Sequence, residues 1–136
     1  MPLSKKDREL IEAATAAITS RYRNDWQEVG AALRTRSGKV FTGINLDAYL
    51  GRMAVCAEAV ALGRAILDGG GDVETVVAVR HPKPEEVVRD MAVVPPCGAC
   101  REMLMDHAPD ALVIVPGPNG LVKLPVRALL PAPYRR

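Results

Sequence analysis

Two short clusters, Cys56-Ala57-Glu58 and Pro96-Cys97-Gly98-Ala99-Cys100, hold all three cysteines of this 136-residue chain. They constrain the fold because each lies where a helix begins. Residues 54–67 are apolar on nearly every face, interrupted only by Glu58, Gly63 and Arg64. A helix of that kind is buried on most sides, in the core or at a subunit interface. Gly69-Gly70-Gly71 ends it. Residues 98–107 predict a second helix with Cys100, Met103, Leu104 and His107 on one face, closed by Pro109. If the thiolates share one ion, the fold must aim both helix starts at one point.

Cys97 and Cys100 have the spacing by which one helical turn, entered from a loop, directs two sulfurs at an ion. Three thiolates favour zinc, one ion per subunit. Zinc with three thiolates carries a formal charge of −1, and each helix N-terminus acts as about +0.5, so two of them roughly offset it. They also lower the thiol pKa values that metal binding requires. A structural zinc site takes four protein ligands, and only His81 and His107 remain to supply the fourth. His107 lies about 10.5 Å along the helix from Cys100 at 1.5 Å per residue, too far to share a tetrahedral ion. Geometry does not exclude His81, but water is the favoured fourth ligand and leaves an open, catalytic site. Glu58 is then either a helix-start glutamate favoured by the dipole or a general acid/base serving that water. Its setting favours the second, since a buried carboxylate without a partner costs several kcal/mol.

Around this pair the chain reads as alternating elements. Leu10, Ala14, Ala17 and Ile18 recur at helical intervals and predict an amphipathic helix over 4–20, with Ser4 as its N-cap. Residues 29–36 and 39–45 flank Ser37-Gly38 as a β-hairpin. Residues 21–26, 46–53 and 81–90 read as connections. The β-branched run 73–79 is a central strand covered on both faces. Residues 111–115 and 121–124 are strands whose five-residue connection is too short for a parallel crossover, so they are antiparallel. A short helix over 126–130 follows Pro125. The order α-β-β-α-β-α-β-β implies an α/β fold: one five-stranded mixed sheet with helices on both faces, in αβα layers and a single domain over 1–136. The strand ending at Val79 should run parallel to the one starting at Ala111, through a right-handed crossover.

Composition removes several classes of function. A net charge of +2 with 18 scattered basic residues is a poor footprint for duplex nucleic acid. Aromatic residues at 4% are too few for stacking along a single strand. No apolar run reaches the roughly 18 residues of a membrane span. The charged start lacks the apolar segment of a signal peptide, so a cytoplasmic location is expected. There an odd cysteine count speaks for metal or catalysis over a disulfide framework.

Cys-x-Glu followed by Pro-Cys-x-x-Cys resembles the zinc deaminases of nucleobases, and most closely the short cytidine deaminases that act on free nucleosides. Phe41-Thr42-Gly43-Ile44-Asn45-Leu46-Asp47 is similar to their Phe-x-Gly-x-Asn-x-Glu segment, and Leu129-Leu130-Pro131-Ala132-Pro133-Tyr134 to their tail. Blasticidin S deaminases share this frame. The resemblance implies zinc on Cys56, Cys97 and Cys100, with Glu58 as proton shuttle. It implies Asn45 and Asp47 facing the sugar, Phe41 lining the base pocket and Ala57 offering its backbone to the base. Tyr134 would pack at the site, often that of a neighbouring subunit in a homotetramer. The substrate would be cytidine or deoxycytidine, or alternatively a modified cytosine nucleoside such as blasticidin S. Three positions depart from the pattern: Asp47 stands for glutamate, Ala59 for an arginine that tempers thiolate charge, and Pro95 for serine. Arg52 and Arg101 are the cations that remain near the thiolates in sequence.

Two other classes compete. Cys97-x-x-Cys100 also has a thiol-redox form, although Cys56 and Glu58 have no purpose there. A zinc-stabilised binding module, completed by His81, would show no catalysis.

Overall fold

Ser4 starts the first helix as predicted. In the computed structural model, which describes residues 2–136, the Ser4 hydroxyl accepts from the Asp7 amide at 3.2 Å and the Asp7 carboxylate accepts from the Ser4 amide at 2.9 Å. This capping box satisfies two groups that the helix end leaves free and opens α1 (Lys5–Arg21). Leu10, Ala14 and Ile18 are buried, whereas Ala17 is half-buried.

The strands are β1 (Val29–Thr35), β2 (Val40–Ile44), β3 (Val73–Arg80), β4 (Ala92–Val94), β5 (Leu112–Gly117) and β6 (Gly120–Pro125). They form one mixed sheet in the order β2-β1-β3-β5-β6, with β4 paired to β3. β3 runs antiparallel to β1 and parallel to β5, and β5 and β6 are antiparallel, as expected. The sheet has six strands and not five. The addition, β4, is only Ala92-Val93-Val94, too short for a periodic signal, and Pro95 ends it. It occupies β3 opposite Ala78, Val79 and Arg80, while β5 takes Thr75 and Val76 on the same side.

Alternate side chains of the inner strands feed two cores. Ala31, Leu33, Val76, Ala78 and Val113 join Ala57, Ala61, Leu62 and Ala65 of α2 (Ala57–Gly69) and Leu104 and Met105 of α3 (Gly98–His107). Ala32, Val77, Val79 and Ile114 meet Leu10 and Ala14 of α1 on the other face. Val76, Val77, Ala78 and Val79 of β3 are therefore consecutive apolar residues because both faces of the strand are covered.

Several boundaries differ from expectation for local reasons. The first hairpin closes over 36–39, where Gly38 takes φ +93° and donates to the Thr35 carbonyl at 2.9 Å. The second is tighter, pairing Gly117 with Gly120. β5 extends through Pro116 because its pairing with β3 ends at Val113, so no ladder bond is lost there. α2 begins at Ala57 instead of residue 54, with Cys56 preceding its first turn, and Gly70 at φ +78° caps its end. α3 keeps its predicted span but is rotated by about one residue. Cys100, Leu104 and Met105 face inward, while Met103 and His107 are exposed. α4 (Val126–Leu129) follows Pro125. Ile66 and Leu67 of α2 remain exposed in the single chain. Among the described residues, no helix is long and apolar enough to cross a membrane.

Candidate metal centre and substrate pocket

α2 and α3 begin side by side. Cys56 and Cys97 each occupy the position before the first helical turn, in extended backbone with φ −71° and −69°. Serine or aspartate at such positions turns its side chain onto the helix amides. Neither cysteine makes that bond, so both sulfurs are free to face one another. Cys100, in the first turn of α3, completes the set, and the three sulfurs lie within 4.8 Å of one another. The Cys56 and Cys97 sulfurs are 3.3 Å apart. Tetrahedral zinc with bonds of about 2.3 Å separates its sulfur ligands by roughly 3.8 Å. The donor set and its spacing therefore fit zinc. Cys100 is buried, Cys56 half-buried and Cys97 exposed, which leaves an approach from the pocket side.

Neither histidine belongs to the group. His81 stacks on Tyr22 with ring centroids 3.8 Å apart, and its Nδ1 lies 2.7 Å from the Pro82 carbonyl oxygen. His107 is exposed on α3.

Electrostatics separate the three thiols. Burial pushes Cys100 well above the ordinary thiol range, and the Glu58 carboxylate adds to the rise. Burial and the Cys97 contact raise Cys56. Burial would raise Cys97 too, but hydrogen bonds from the Cys100 amide and the neighbouring thiols bring it below its usual value. Glu58, only 6% exposed, is raised by burial, and hydrogen bonds to its own amide and to Cys100 offset part of that. The carboxyl thus sits beside the sulfurs in a setting that disfavours its charge.

A cavity of about 330 Å³ opens onto these groups. Its walls include Cys56, Ala57, Glu58 and Cys97, together with the expected Asn45 and Asp47. Asn45 is heavily committed to the backbone. Its Oδ1 accepts from the Glu28 and Val29 amides at 2.8 and 3.0 Å, and its Nδ2 donates to the Trp26 carbonyl at 2.8 Å. It thereby pins the entry to β1, whose first residue Val29 is another wall. Asp47 is exposed and accepts from the Ala48 amide at 2.7 Å.

Two expected residues are not brought together with the rest. Phe41 points into the core at the far end of α2, where a Cβ on Gly69 would stand 2.7 Å from its ring. That is roughly 20 Å along the helix from Cys56. A β-strand alternates its faces, and Phe41 shares the core face with Leu33 opposite. Tyr134 is 74% exposed, and its amide donates to the Glu102 carboxylate at 3.0 Å. Arg101 sends its guanidinium to the Pro96 and Leu129 carbonyls, and Arg52 is exposed. The apolar walls Val29, Leu46, Val55 and Val94 carried no chemical signal in the sequence, since only the fold brings them to the site.

Residues 4–115 match the family described as the cytidine and deoxycytidylate deaminase zinc-binding region. The chain is 46% identical to a blasticidin-S deaminase of Bacillus cereus over 134 residues, covering 98% of this chain and 96% of that protein. It is 33% identical to a cytidine deaminase of Halalkalibacterium halodurans over 131 residues, 93% and 89% of the respective chains. Among solved structures, a cytidine deaminase from Burkholderia pseudomallei superposes with a TM-score of 0.73 at 29% identity. That match covers 97% of this chain and 100% of the other.

Proposed function

The chain belongs to the cytidine and deoxycytidylate deaminase zinc-binding family, and from that premise we propose that it hydrolyses the C4 amino group of a free cytosine nucleoside. Residues 1–136 would act as one domain with one zinc per subunit. The observation that carries this reading is the meeting of three cysteine sulfurs and a buried carboxylate at the head of one cavity.

Bound by Cys56, Cys97 and Cys100, zinc supplies a Lewis acid able to lower the pKa of water from 15.7 to about 7. Glu58 handles the protons. Its carboxylate accepts one from the attacking water and delivers it to N3 of the cytosine ring as the oxygen joins C4. The carboxylate, free again, then takes the second proton from the new C4 hydroxyl and passes it to the departing amino group as the C4 carbonyl forms and the C4–N bond breaks. Water and a cytosine nucleoside become a uracil nucleoside and ammonia, with no redox change. Burial serves this role because it raises the Glu58 pKa towards the range where a group both takes and gives protons. Ala57 presents its backbone to the base, and Asn45 and Asp47 line the sugar end.

Between substrates, the comparisons favour a modified cytosine nucleoside of the blasticidin S kind over cytidine or deoxycytidine. The blasticidin-S deaminase is 46% identical over nearly the whole chain, against 33% for the cytidine deaminase. Asp47, shorter than the family's glutamate, fits a sugar other than plain ribose. With cytidine as substrate the reaction would serve pyrimidine salvage. The exposed Ile66, Leu67 and Tyr134 suit assembly into a homotetramer in which Tyr134 reaches a neighbouring site. Reduced thiol ligands suit the cytoplasm.

Ammonia release from blasticidin S, cytidine and deoxycytidine separates these substrates. The expected order of kcat/KM places blasticidin S first; a clear preference for cytidine would reverse the assignment within the same chemistry.

A further inference from the structure

The approach to Cys97 is unusually short of ways to hold itself in place. Between the last β4 residue, Val94, and Cys97 lie Pro95 and Pro96, and neither has an N–H to donate. Cys97 makes no capping bond of its own. Only carbonyls remain to anchor this bridge, and Arg101 takes the decisive one. Its Nε donates to the Pro96 carbonyl at 2.8 Å, while its backbone N–H donates to the Cys97 carbonyl at 2.9 Å. One residue thus holds two successive carbonyls, on either side of the Cys97 α-carbon.

The other arm of the guanidinium reaches away from the bridge. Arg101 NH1 donates to the Leu129 carbonyl at 3.1 Å, at the C-terminal end of α4. That carbonyl lies at a helix end, where backbone acceptors lack partners within the helix and a cation is favoured. A planar fork can serve two acceptors in different directions at once, which an ammonium on a flexible stem does poorly.

We propose that Arg101 is a positioning residue of the metal centre. It clamps the Pro95-Pro96 bridge to the end of α4, so that the placement of the Cys97 sulfur, and with it zinc retention, depends on the C-terminal segment. This is a different task from offsetting thiolate charge, because the guanidinium donates to the neutral carbonyls of Pro96 and Leu129. It rests on the reading of Cys56, Cys97 and Cys100 as zinc ligands.

The test uses the whole 136-residue chain loaded with zinc and follows zinc release into a chromogenic chelator for wild type, Arg101→Met, Arg101→Lys and Arg127→Ala. Arg127 lies on α4 and pairs with Asp110 at 3.2 Å in an exposed ion pair that contributes little to stability, so its variant removes a neighbouring arginine while leaving α4, Arg101 and the bridge in place. Groups that orient metal ligands typically change metal affinity 10- to 100-fold when removed. Arg101→Met is expected to release zinc faster by roughly that factor, Arg101→Lys also faster than wild type, and Arg127→Ala at the wild-type rate. Cobalt(II)-substituted Arg101→Met should also show an altered thiolate-to-metal absorption band. Wild-type release from Arg101→Met, full retention in Arg101→Lys, or equally fast release from Arg127→Ala would each overturn the clamp. Wild-type protein that holds no zinc would instead overturn the metal reading itself, and the clamp with it.

Discussion

The sulfurs of Cys56 and Cys97 stand 3.3 Å apart, each on the residue that precedes the first turn of a helix. This pairing of two helix starts is what the fold builds. β2 and β1 seat α2, and β3 with β4 delivers the chain to α3. The partial positive charge of both termini then falls on one thiolate cluster.

The cluster predicts a thiol-protection pattern. Zinc-loaded protein should leave its three cysteines nearly unreactive towards a thiol dye, and stripping the metal with a chelator should expose them. Cys97, whose pKa is lowered, should react first because the thiolate is the nucleophile. Cys97→Ser should abolish stoichiometric zinc. Equal dye reactivity with and without metal would contradict a shared site.

Packing beneath the site gives a second prediction. A Cβ at Gly43 of β2 would stand 2.6 Å from the Ala61 amide and 2.8 Å from the Ala57 carbonyl oxygen, both backbone atoms of α2. Gly43→Ala must therefore lift α2, and overpacking of this kind costs about 1–3 kcal/mol. Because Ala57 and Glu58 open the same helix, activity should fall more steeply than stability. Denaturant unfolding and turnover on the same preparation check this. An unchanged midpoint would show that β2 and α2 are less tightly apposed.

On the opposite face of the sheet, Asp7 is fully buried and sits between Arg34 at 3.1 Å and Lys123 at 2.8 Å. Burial alone would raise its carboxyl, but hydrogen bonds from Lys123, the Ser4 amide and Arg34 more than reverse that and hold it well below the usual carboxylate range. A depressed folded-state pKa stabilises the protein above the unfolded value of about 3.9 and loses that contribution as pH falls through the lower folded value. Urea stability should thus decline below about pH 4. Asp7→Asn should cost roughly 3–5 kcal/mol near neutrality, by removing the buried carboxylate that Arg34 and Lys123 share. A variant as stable as wild type at pH 7 would remove the cluster from the account.

Much of this was legible in the sequence. Ser4, the glycines at 69–71 and the 98–107 helix carried local signals strong enough to place them, because caps and stops act within a few residues. The metal ligands were legible because thiolates at Cys56 and Cys97-x-x-Cys100 have few other purposes in a reduced chain. β4 was not, since three residues give no period and its partner Ala78–Arg80 lies elsewhere in sequence. The inward face of α3 is not legible, because Met103 and Met105 are chemically equal and only packing decides between them. Phe41 shows the limit of a motif: its match to a family segment gave its place in the chain, while strand alternation sent its ring to the core. The Asp7–Arg34–Lys123 group, assembled from α1, β1 and β6, left no local trace.

The central claim is that Glu58 carries the protons of a zinc-assisted deamination. Glu58→Gln keeps the size and hydrogen-bonding shape of the side chain while removing its ability to shuttle a proton at neutral pH. The decisive measurement is ammonia release from a cytosine nucleoside by wild type and Glu58→Gln, with zinc quantified on the same samples. The account predicts equal zinc, an equal unfolding midpoint or a slightly higher one, and turnover lower by about 10² to 10⁴. Near-normal ammonia release from zinc-replete Glu58→Gln would contradict it.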